Sequence, residues 1–187
     1  YARLLHPGLS EQLRPIIVDK TKNFIVRRVA IDIAEVCELG DLQEDLLRIA
    51  LDSKEDILTR TNAAYALWRI GDTAIRAKMK LLALDRSLKD QYDELRGAAL
   101  LCVWPDHLTA NELFGILRVP KVPAFIGSYH LFLNRFTKDL QLSDLTVALD
   151  WCREYVQRSS YRIEDPFTDM QSVINDIMQA AWEHLDN

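Results

Sequence analysis

The chain has 187 residues, of which 49 % are hydrophobic and 27 % charged, and its formal net charge is −5 with an isoelectric point of about 5.4. This acidic balance disfavours a general nucleic-acid binder, whose affinity comes mainly from neutralising phosphates. No run of about 18 apolar residues occurs, so no segment is expected to span a membrane. Six glycines and six prolines are too few for a loop-rich or all-β chain.

Apolar residues recur at three- and four-residue steps along the chain, and this period predicts helices and no sheet. About ten helices are expected, and most connectors are short, so successive helices should be antiparallel neighbours. In chain order the predicted helices span residues 9–20, 22–41, 42–52, 57–70, 73–87, 90–104, 113–119, 124–136, 143–156 and 165–185.

The first two predicted helices carry signals of where they break and which face is apolar. Pro15 is expected to break or kink the first helix, because proline has no N–H group and its ring collides with the preceding turn. Ile25, Val29, Ile33 and Val36 share one face of the second helix. That spacing is typical of a helix that packs one side against a core.

Capping signals mark three further helix starts. Ser53–Asp56 and Thr109–Glu112 each place an acidic residue three positions after a hydroxyl residue, which is the pattern of a capping box. Asp165 and Pro166 fit the N-cap and the first position of the last helix.

Three of the predicted helices resemble one another: FIVRRVAIDIAEVCELGD, ILTRTNAAYALWRIGD and DELRGAALLCVWPD. In each, an arginine near the start is followed by alanines, by an apolar or aromatic residue, and by a turn that ends in aspartate. A period of about 32 to 36 residues is typical of stacked helical pairs. The arginines of this pattern are Arg27 or Arg28, Arg60 and Arg96.

Stacking explains the composition of these helices. Alanines such as Ala63 let neighbouring helices approach closely, and Trp68 and Trp104 are expected to fill gaps between pairs. Trp151 and Trp182 are also expected to be packed. One helical pair cannot bury its apolar face alone, so stability should come from the stack. A cation at a helix start is disfavoured by the helix dipole, so each arginine should have a partner, with Asp56 and Asp93 as candidates.

The motif D-x-x-x-R-x-x-A-A-x-A-L, from Asp56 to Leu67, resembles the HEAT-repeat signature. The resemblance implies an α-α superhelix of the HEAT or armadillo type, in which Arg60 is tethered to Asp56. It implies a single helical-repeat domain over residues 1–187, clearest over 21–119 and divergent over 120–187. The implied structural residues are Arg28, Asp56, Arg60, Ala63, Trp68, Arg96 and Trp104.

A second stretch, residues 93–117 followed by 120–133, is similar to helical regions of large bacterial NTPases of the NACHT or STAND type. In those proteins such regions lie downstream of the nucleotide-binding module and act as a sensor or scaffold. The chain begins at Tyr1 rather than Met and is expected to be a fragment of a longer protein, and its separated, odd-numbered cysteines favour a cytoplasmic location. Its partner would be another protein or another domain of the parent chain.

No motif for catalysis or for a cofactor is present. The chain lacks a phosphate-binding glycine loop and any zinc-ligand spacing, and its four histidines are scattered. His107 beside Asp106 could act as an acid–base pair, but a turn residue ahead of a cap is the simpler interpretation. Cys37, Cys102 and Cys152 are expected to be reduced core residues. We therefore expect no enzyme, no cofactor and no metal site.

Two functions remain open. The favoured hypothesis is a non-enzymatic protein-interaction scaffold or sensor segment. The residues expected to contact its partner are Lys20, Lys22, Arg27, Thr61, Asn62 and Arg69. The alternative is a HEAT-like nucleic-acid-binding or base-processing protein, in which the clusters 20–28 and 76–80 share one concave face with an exposed tryptophan.

Overall fold

The computed structural model describes residues 4–122, 125–158 and 169–185. These residues form α-helices joined by turns and short 3-10 helices, with no strand among them, which confirms the all-α class. The helices are α1 Leu9–Val18, α2 Phe24–Val36, α3 Gln43–Leu51, α4 Ile57–Ile70, α5 Thr73–Lys78, α6 Lys80–Leu84, α7 Glu94–Val103, α8 Ala110–Phe114, α9 Ser128–Leu133, α10 Leu145–Arg158 and α11 Asp169–Leu185. No helix in these ranges is long and apolar enough to cross a membrane.

Capping side chains fix several of the helix starts. Asp56 Oδ1 accepts hydrogen bonds from the first-turn N–H groups of α4. Asp56 is therefore the N-cap, and the prediction that Ser53 caps this helix is wrong. The capping box of Thr109 and Glu112 at α8 is confirmed. Of the two expectations for Pro15 in α1, the break is wrong, because the helix continues through Pro15 to Val18, and the kink stays a prediction.

Several predicted helices have different bounds in the structure: the predicted helices 22–41, 113–119 and 124–136 are α2, α8 and α9, which span Phe24–Val36, Ala110–Phe114 and Ser128–Leu133. The predicted helix 73–87 is divided into α5 and α6 at Met79. The helix predicted from residue 90 begins at Glu94, because Asp93 has a φ of 59° in the left-handed region. The predicted cap at Asp165 and Pro166 lies outside the described residues.

The helices of the first half pack as pairs. α1 packs on α2, α3 on α4, and α6 on α7. The second helices of these pairs also contact one another in succession, α2 with α4 and α4 with α7, and α7 then contacts α9. α10 packs on α8 and α11, and α11 also contacts α9. The core therefore runs through the row of second helices.

Small residues allow close approach in that row. Ala63, Ala64 and Ala66 on α4 are fully buried, as expected of contact positions. At Gly97 on α7, an added Cβ would lie 2.1 Å from the backbone nitrogen of Tyr129, the second residue of α9. Only glycine fits this crossing, because α7 and α9 meet there backbone to backbone.

Two apolar expectations are wrong. The predicted packed face of α2 is largely open, since Ile25, Val29 and Val36 are 65 %, 42 % and 50 % exposed. The buried residues of α2 are Arg27, Ala30, Ile31 and Ala34. Trp182 on α11 is 67 % exposed, so its helical spacing with apolar residues did not indicate a packed position.

Candidate functional site

Three buried arginines occupy equivalent places in the helical pairs. Each lies in the second helix and donates to a carbonyl group near the carboxyl end of the first helix. The bonds are Arg27 Nε to Ile17 O at 3.0 Å, Arg60 Nε to Ala50 O at 2.9 Å, and Arg96 Nη1 to Ala83 O at 3.2 Å. These arginines satisfy carbonyl groups that the end of a helix leaves without an internal partner.

This pattern corrects three predictions. Arg27, predicted to contact a partner, is 3 % exposed and is the member of the repeat. Arg28, predicted as that member, is exposed and lies 3.8 Å from Asp32. The side chain of Arg60 bonds Ala50 rather than Asp56, which is occupied as an N-cap.

Asp93, the other predicted arginine partner, serves the connector before α9 instead of Arg96. Its carboxylate accepts from Arg118 Nη2 at 2.5 Å and from the backbone N–H of Lys121 at 2.9 Å. The backbone N–H of Arg96 donates instead to the carboxylate of Asp90 at 2.9 Å.

An aspartate follows the first helix of each pair. Asp19, Asp52 and Asp85 are spaced 33 residues apart, and each is the C-cap of its helix. Each carboxylate accepts the backbone N–H of the residue two positions later, at 2.8 to 2.9 Å. The turn between the two helices of a pair is thus built in the same way three times.

The surroundings of the three arginines differ. The Arg27 guanidinium makes two bonds of 2.9 Å to the carboxylate of Glu55, and these bonds lower the pKa of Glu55. Burial lowers the pKa of Arg60 and of Arg96. All three are structural groups, because their donors point into the protein and are not available to a partner.

The predicted basic clusters are paired with carboxylates on different elements. Lys20 Nζ lies 2.5 Å from Asp52 after α3, and Lys80 Nζ lies 2.7 Å from Glu112 in α8. Lys22 is exposed in the turn before α2. With Arg27 buried, the cluster 20–28 does not form the continuous basic surface that a nucleic-acid site requires.

Thr61 and Asn62, by contrast, line a groove along the second helices. The groove has a volume of about 460 Å³ and lies between α2, α4, the start of α7 and the segment that enters α9. Its lining residues are Arg28, Asp32, Glu35, Thr61, Asn62, Tyr65, Glu94, Ile126, Gly127, Ser128 and Leu131. We call this surface the helix groove.

Carboxylates dominate the electrostatics of the helix groove. Burial raises the pKa of Asp32, Glu35 and Glu94, and the charges of Arg28 at Asp32 and of Arg69 at Glu35 offset that burial only in part. Arg28 is 3.8 Å from Asp32, and Arg69 is 3.9 Å from Glu35, both near the limit of an ion pair. An added cation in the groove would therefore stabilise the charged form of these acids.

Glu94 also holds one wall of the helix groove. Its Oε1 accepts the N–H of Ser128 at 2.7 Å, at the start of α9. A Cβ at Gly127 would lie 1.8 Å from the same oxygen, so the chain passes directly over this carboxylate. Glu94 is consequently both a structural contact and a groove acid, whereas Asp32 and Glu35 make the long ion pairs of 3.8 and 3.9 Å with Arg28 and Arg69.

Apolar and amide groups complete the helix groove. Ile126 is 84 % exposed at its rim, with Leu131 and Tyr65 partly exposed beside it. Asn62 Nδ2 is buried and has no hydrogen-bond partner in the part of the chain that the structure describes. A buried donor without an acceptor is costly, and a bound carbonyl or carboxylate group would satisfy it.

The tryptophans of the repeat lie at its edges. Trp68 on α4 is partly buried, and the guanidinium groups of Arg69 and Arg135 each lie 5.4 Å from its ring centroid. Trp104 Nε1 donates to Phe136 O at 3.0 Å. Both side chains link their helix to the segment after α9 rather than to the next helical pair.

No catalytic arrangement appears among the residues that the structure describes. His107 and Asp106 line a separate cavity of about 420 Å³ with Gln141 and Asp144, and the described acids, histidines and cysteines form no metal-binding group of three or more. The described cysteines are all buried, and burial raises the pKa of Cys102 to about 12 and of Cys152 to about 11. Such thiols are poor nucleophiles at neutral pH.

Comparisons with known proteins give no match, whether to a protein-family model, to a curated protein or to a solved structure. The groove residues that sequence reasoning missed are Asp32, Glu35, Glu94 and Ile126. Asp32 and Glu35 follow Arg28 at four and seven residues, a spacing that places all three on one side of α2. That spacing is the sequence signal by which Asp32 and Glu35 could have been assigned to the same surface as Arg28.

Proposed function

We propose that the chain is a HEAT-like α-solenoid that acts as an interaction scaffold, and that the helix groove binds a segment of a protein partner. Support for the solenoid comes from the three equivalent arginine and aspartate contacts and from the succession of second helices. Repeats of this kind present long surfaces built from one helix of each pair.

The observation that carries the binding proposal is the composition of the helix groove. Three carboxylates with raised pKa values lie beside an isoleucine that is 84 % exposed. A segment with a lysine or arginine next to an apolar side chain matches both features, because the cation offsets the acids while the apolar group covers Ile126.

The nucleic-acid alternative has less support. A phosphate backbone brought into the helix groove would face Asp32, Glu35 and Glu94, and like charges at that distance repel. We expect no salt-dependent binding to duplex or single-stranded oligonucleotides at low ionic strength. Measurable binding whose affinity falls steeply with salt would favour the alternative.

Selection from a random peptide display library tests the binding proposal. Selected peptides should combine basic and apolar residues, and the Asp32→Asn/Glu35→Gln variant should bind them at least about tenfold more weakly. The matched control is Asp150→Asn/Glu154→Gln, which removes two carboxylates that are each 55 % exposed on α10. Peptides that bind wild type and the groove variant equally would refute the proposal.

The wider context also remains a proposal. Membership of a NACHT or STAND-type NTPase rests on the sequence resemblance alone, and the cytoplasmic location rests on the cysteines expected to be reduced. The full reading frame tests the membership, since a nucleotide-binding module upstream of this segment is the expected result. A reading frame without such a module would remove the sensor interpretation and leave the scaffold.

A further inference from the structure

The outward side of α2 is apolar. Ile25, Val26, Val29 and Val36 are 65 %, 49 %, 42 % and 50 % exposed, and Ile33 is partly exposed between them. At about 100° per residue, the five side chains fall within about 100° of one another around the helix axis. With the same 100° per residue, the centre of the buried residues of α2 lies about 140° around the helix axis from the centre of these five side chains. We call the five residues the α2 stripe.

Two residues of the α2 stripe, Val26 and Ile33, occupy positions that are buried in the following second helices. Val26 and Ile33 correspond, 33 residues later, to Thr59 and Ala66 on α4, which are 1 % and 0 % exposed.

On α7 the equivalent residues are Leu95 and Cys102, which are 0 % and 4 % exposed. Cys102 Sγ lies 3.5 Å from Ala64 O, so this side of α7 faces the preceding second helix α4. By the same equivalence, the side of α2 that carries Val26 and Ile33 is the side on which another helix would lie.

Charged residues along one edge of the α2 stripe indicate which helix would pack against it. Arg28 and Asp32 lie two residues before and two residues after Ala30, the middle residue of α2. Their own contact is long, at 3.8 Å, and their side chains are 57 % and 43 % exposed. Both groups are therefore free to pair with charges brought to this edge.

We propose that the α2 stripe binds the α2 stripe of a second copy of this chain, with the two helices antiparallel about a two-fold axis near Ala30. In that arrangement Arg28 faces Asp32 of the partner subunit, and the reverse pair forms on the other side of the axis. Ile25 comes beside the partner's Val36. A two-fold contact of this kind is self-complementary and closes as a dimer.

The dimer does not depend on the function of the helix groove. Val29 belongs to the α2 stripe and does not line the groove. Arg28 and Asp32 belong to both surfaces, so Val29→Asp should weaken the dimer while peptide binding in the groove is retained or strengthened. Failure of the dimer and failure of the groove proposal can thus be told apart.

Sedimentation equilibrium across the micromolar range provides the first test. Wild type should dimerise, and Val29→Asp should weaken dimerisation by at least about tenfold. Leu81→Asp is the matched control, because Leu81 is an apolar residue on α6 that is 69 % exposed. It should dimerise like wild type. A wild-type chain that stays monomeric throughout, or equal dimerisation of wild type and Val29→Asp, would overturn the proposal.

A charge-swap experiment tests the antiparallel register. Arg28→Asp alone places four acids at the two-fold axis, and Asp32→Arg alone places four cations there, so each variant should be monomeric. A mixture of the two should form a heterodimer, because every facing pair then has opposite charges. Native mass spectrometry resolves the species. Two variants that dimerise separately, or a mixture that stays monomeric, would exclude this register.

Discussion

α2 and α4 hold equivalent places in successive helical pairs but have opposite surroundings. α4 lies between α2 and α7, and it buries the small residues Thr59 and Ala66. α2 carries the larger Val26 and Ile33 at those positions and leaves them partly or largely exposed. The comparison teaches that a helical apolar pattern identifies a side of a helix that another element can cover. The neighbouring elements decide whether that side is covered.

The largest expected effect tests the difference between the buried and exposed sides of α2, by substituting its two adjacent arginines. Arg27→Met should lower the free energy of unfolding by about 3 to 5 kcal/mol, because it leaves the Glu55 carboxylate buried without its cation. The Glu55 side chain is 6 % exposed. Arg28→Met should change stability by about 0.5 kcal/mol or less, since its side chain is solvated. Urea unfolding followed by circular dichroism measures both. Similar losses for the two variants would contradict the assignment of Arg27 as the structural arginine.

A second prediction concerns the crossing of α7 and α9. Gly97→Ala should destabilise the fold by about 3 kcal/mol, since its Cβ would meet backbone atoms that cannot move independently. Gly40→Ala is the control, because a Cβ there has no heavy atom within 4 Å. Thermal unfolding compares the two. An unchanged melting temperature for Gly97→Ala would show that α7 and α9 are not this close.

A third prediction exchanges the residue types of α4, in the middle of the row of second helices, and α2, at its end. Ala66→Ile introduces on α4 the residue that α2 has at Ile33, and overpacking against α2 should cost about 1 to 3 kcal/mol. The reverse change, Ile33→Ala, should cost less, because Ile33 is only partly buried. The two free energies of unfolding should be measured at low protein concentration, where the proposed dimer is dissociated. A larger loss for Ile33→Ala would reverse the comparison.

The smallest expected effects concern pH. A hydrogen bond from Lys80 lowers the pKa of Glu112 to about 2, so the stability that this pair contributes is present above the ordinary pKa of 4.5 and is lost as the pH falls towards 2. The pKa values of Asp32 and Glu35 are raised, chiefly by burial, so their contribution to stability instead falls as the pH rises through their ordinary range.

Unfolding free energies measured as a function of pH separate the two cases. Glu112→Gln should reduce the loss of stability in acid. Asp32→Asn/Glu35→Gln should remain within about 0.5 kcal/mol of wild type at neutral pH, with the difference in its favour. A clear destabilisation of the second variant would mean that these acids are structural and would weaken the case for the helix groove.

The local pattern predicted part of this structure. The helical class, the alanines of α4 and the box at Thr109 follow from residue spacing and capping chemistry, which act over a few residues. The pattern did not distinguish Arg27 from Arg28, because adjacent residues on a helix point in different directions and a two-residue choice needs the helix register. The buried partner, Ile17 O, is a backbone atom that no sequence motif identifies.

The helix groove was harder to predict, because its walls are distant in sequence. Glu35, Glu94 and Ile126 come together only when α2, α4, α7 and α9 stack. The sequence places Glu94 only at the start of a helix, where an acid is locally favoured, whereas its contact with Ser128 depends on tertiary packing. Thr61 and Asn62 were placed on the partner surface because they are the polar positions of an otherwise apolar helix.

Hydrogen–deuterium exchange of the whole chain, alone and with a selected basic peptide, tests the central claim most directly. The account predicts added protection in the segments around residues 28–35, 61–65 and 126–131, which line the helix groove. Protection should be absent from the turn that carries Lys20 and Lys22. Protection confined to that turn, or spread over α10 and α11, would contradict the assignment of the groove as the partner site.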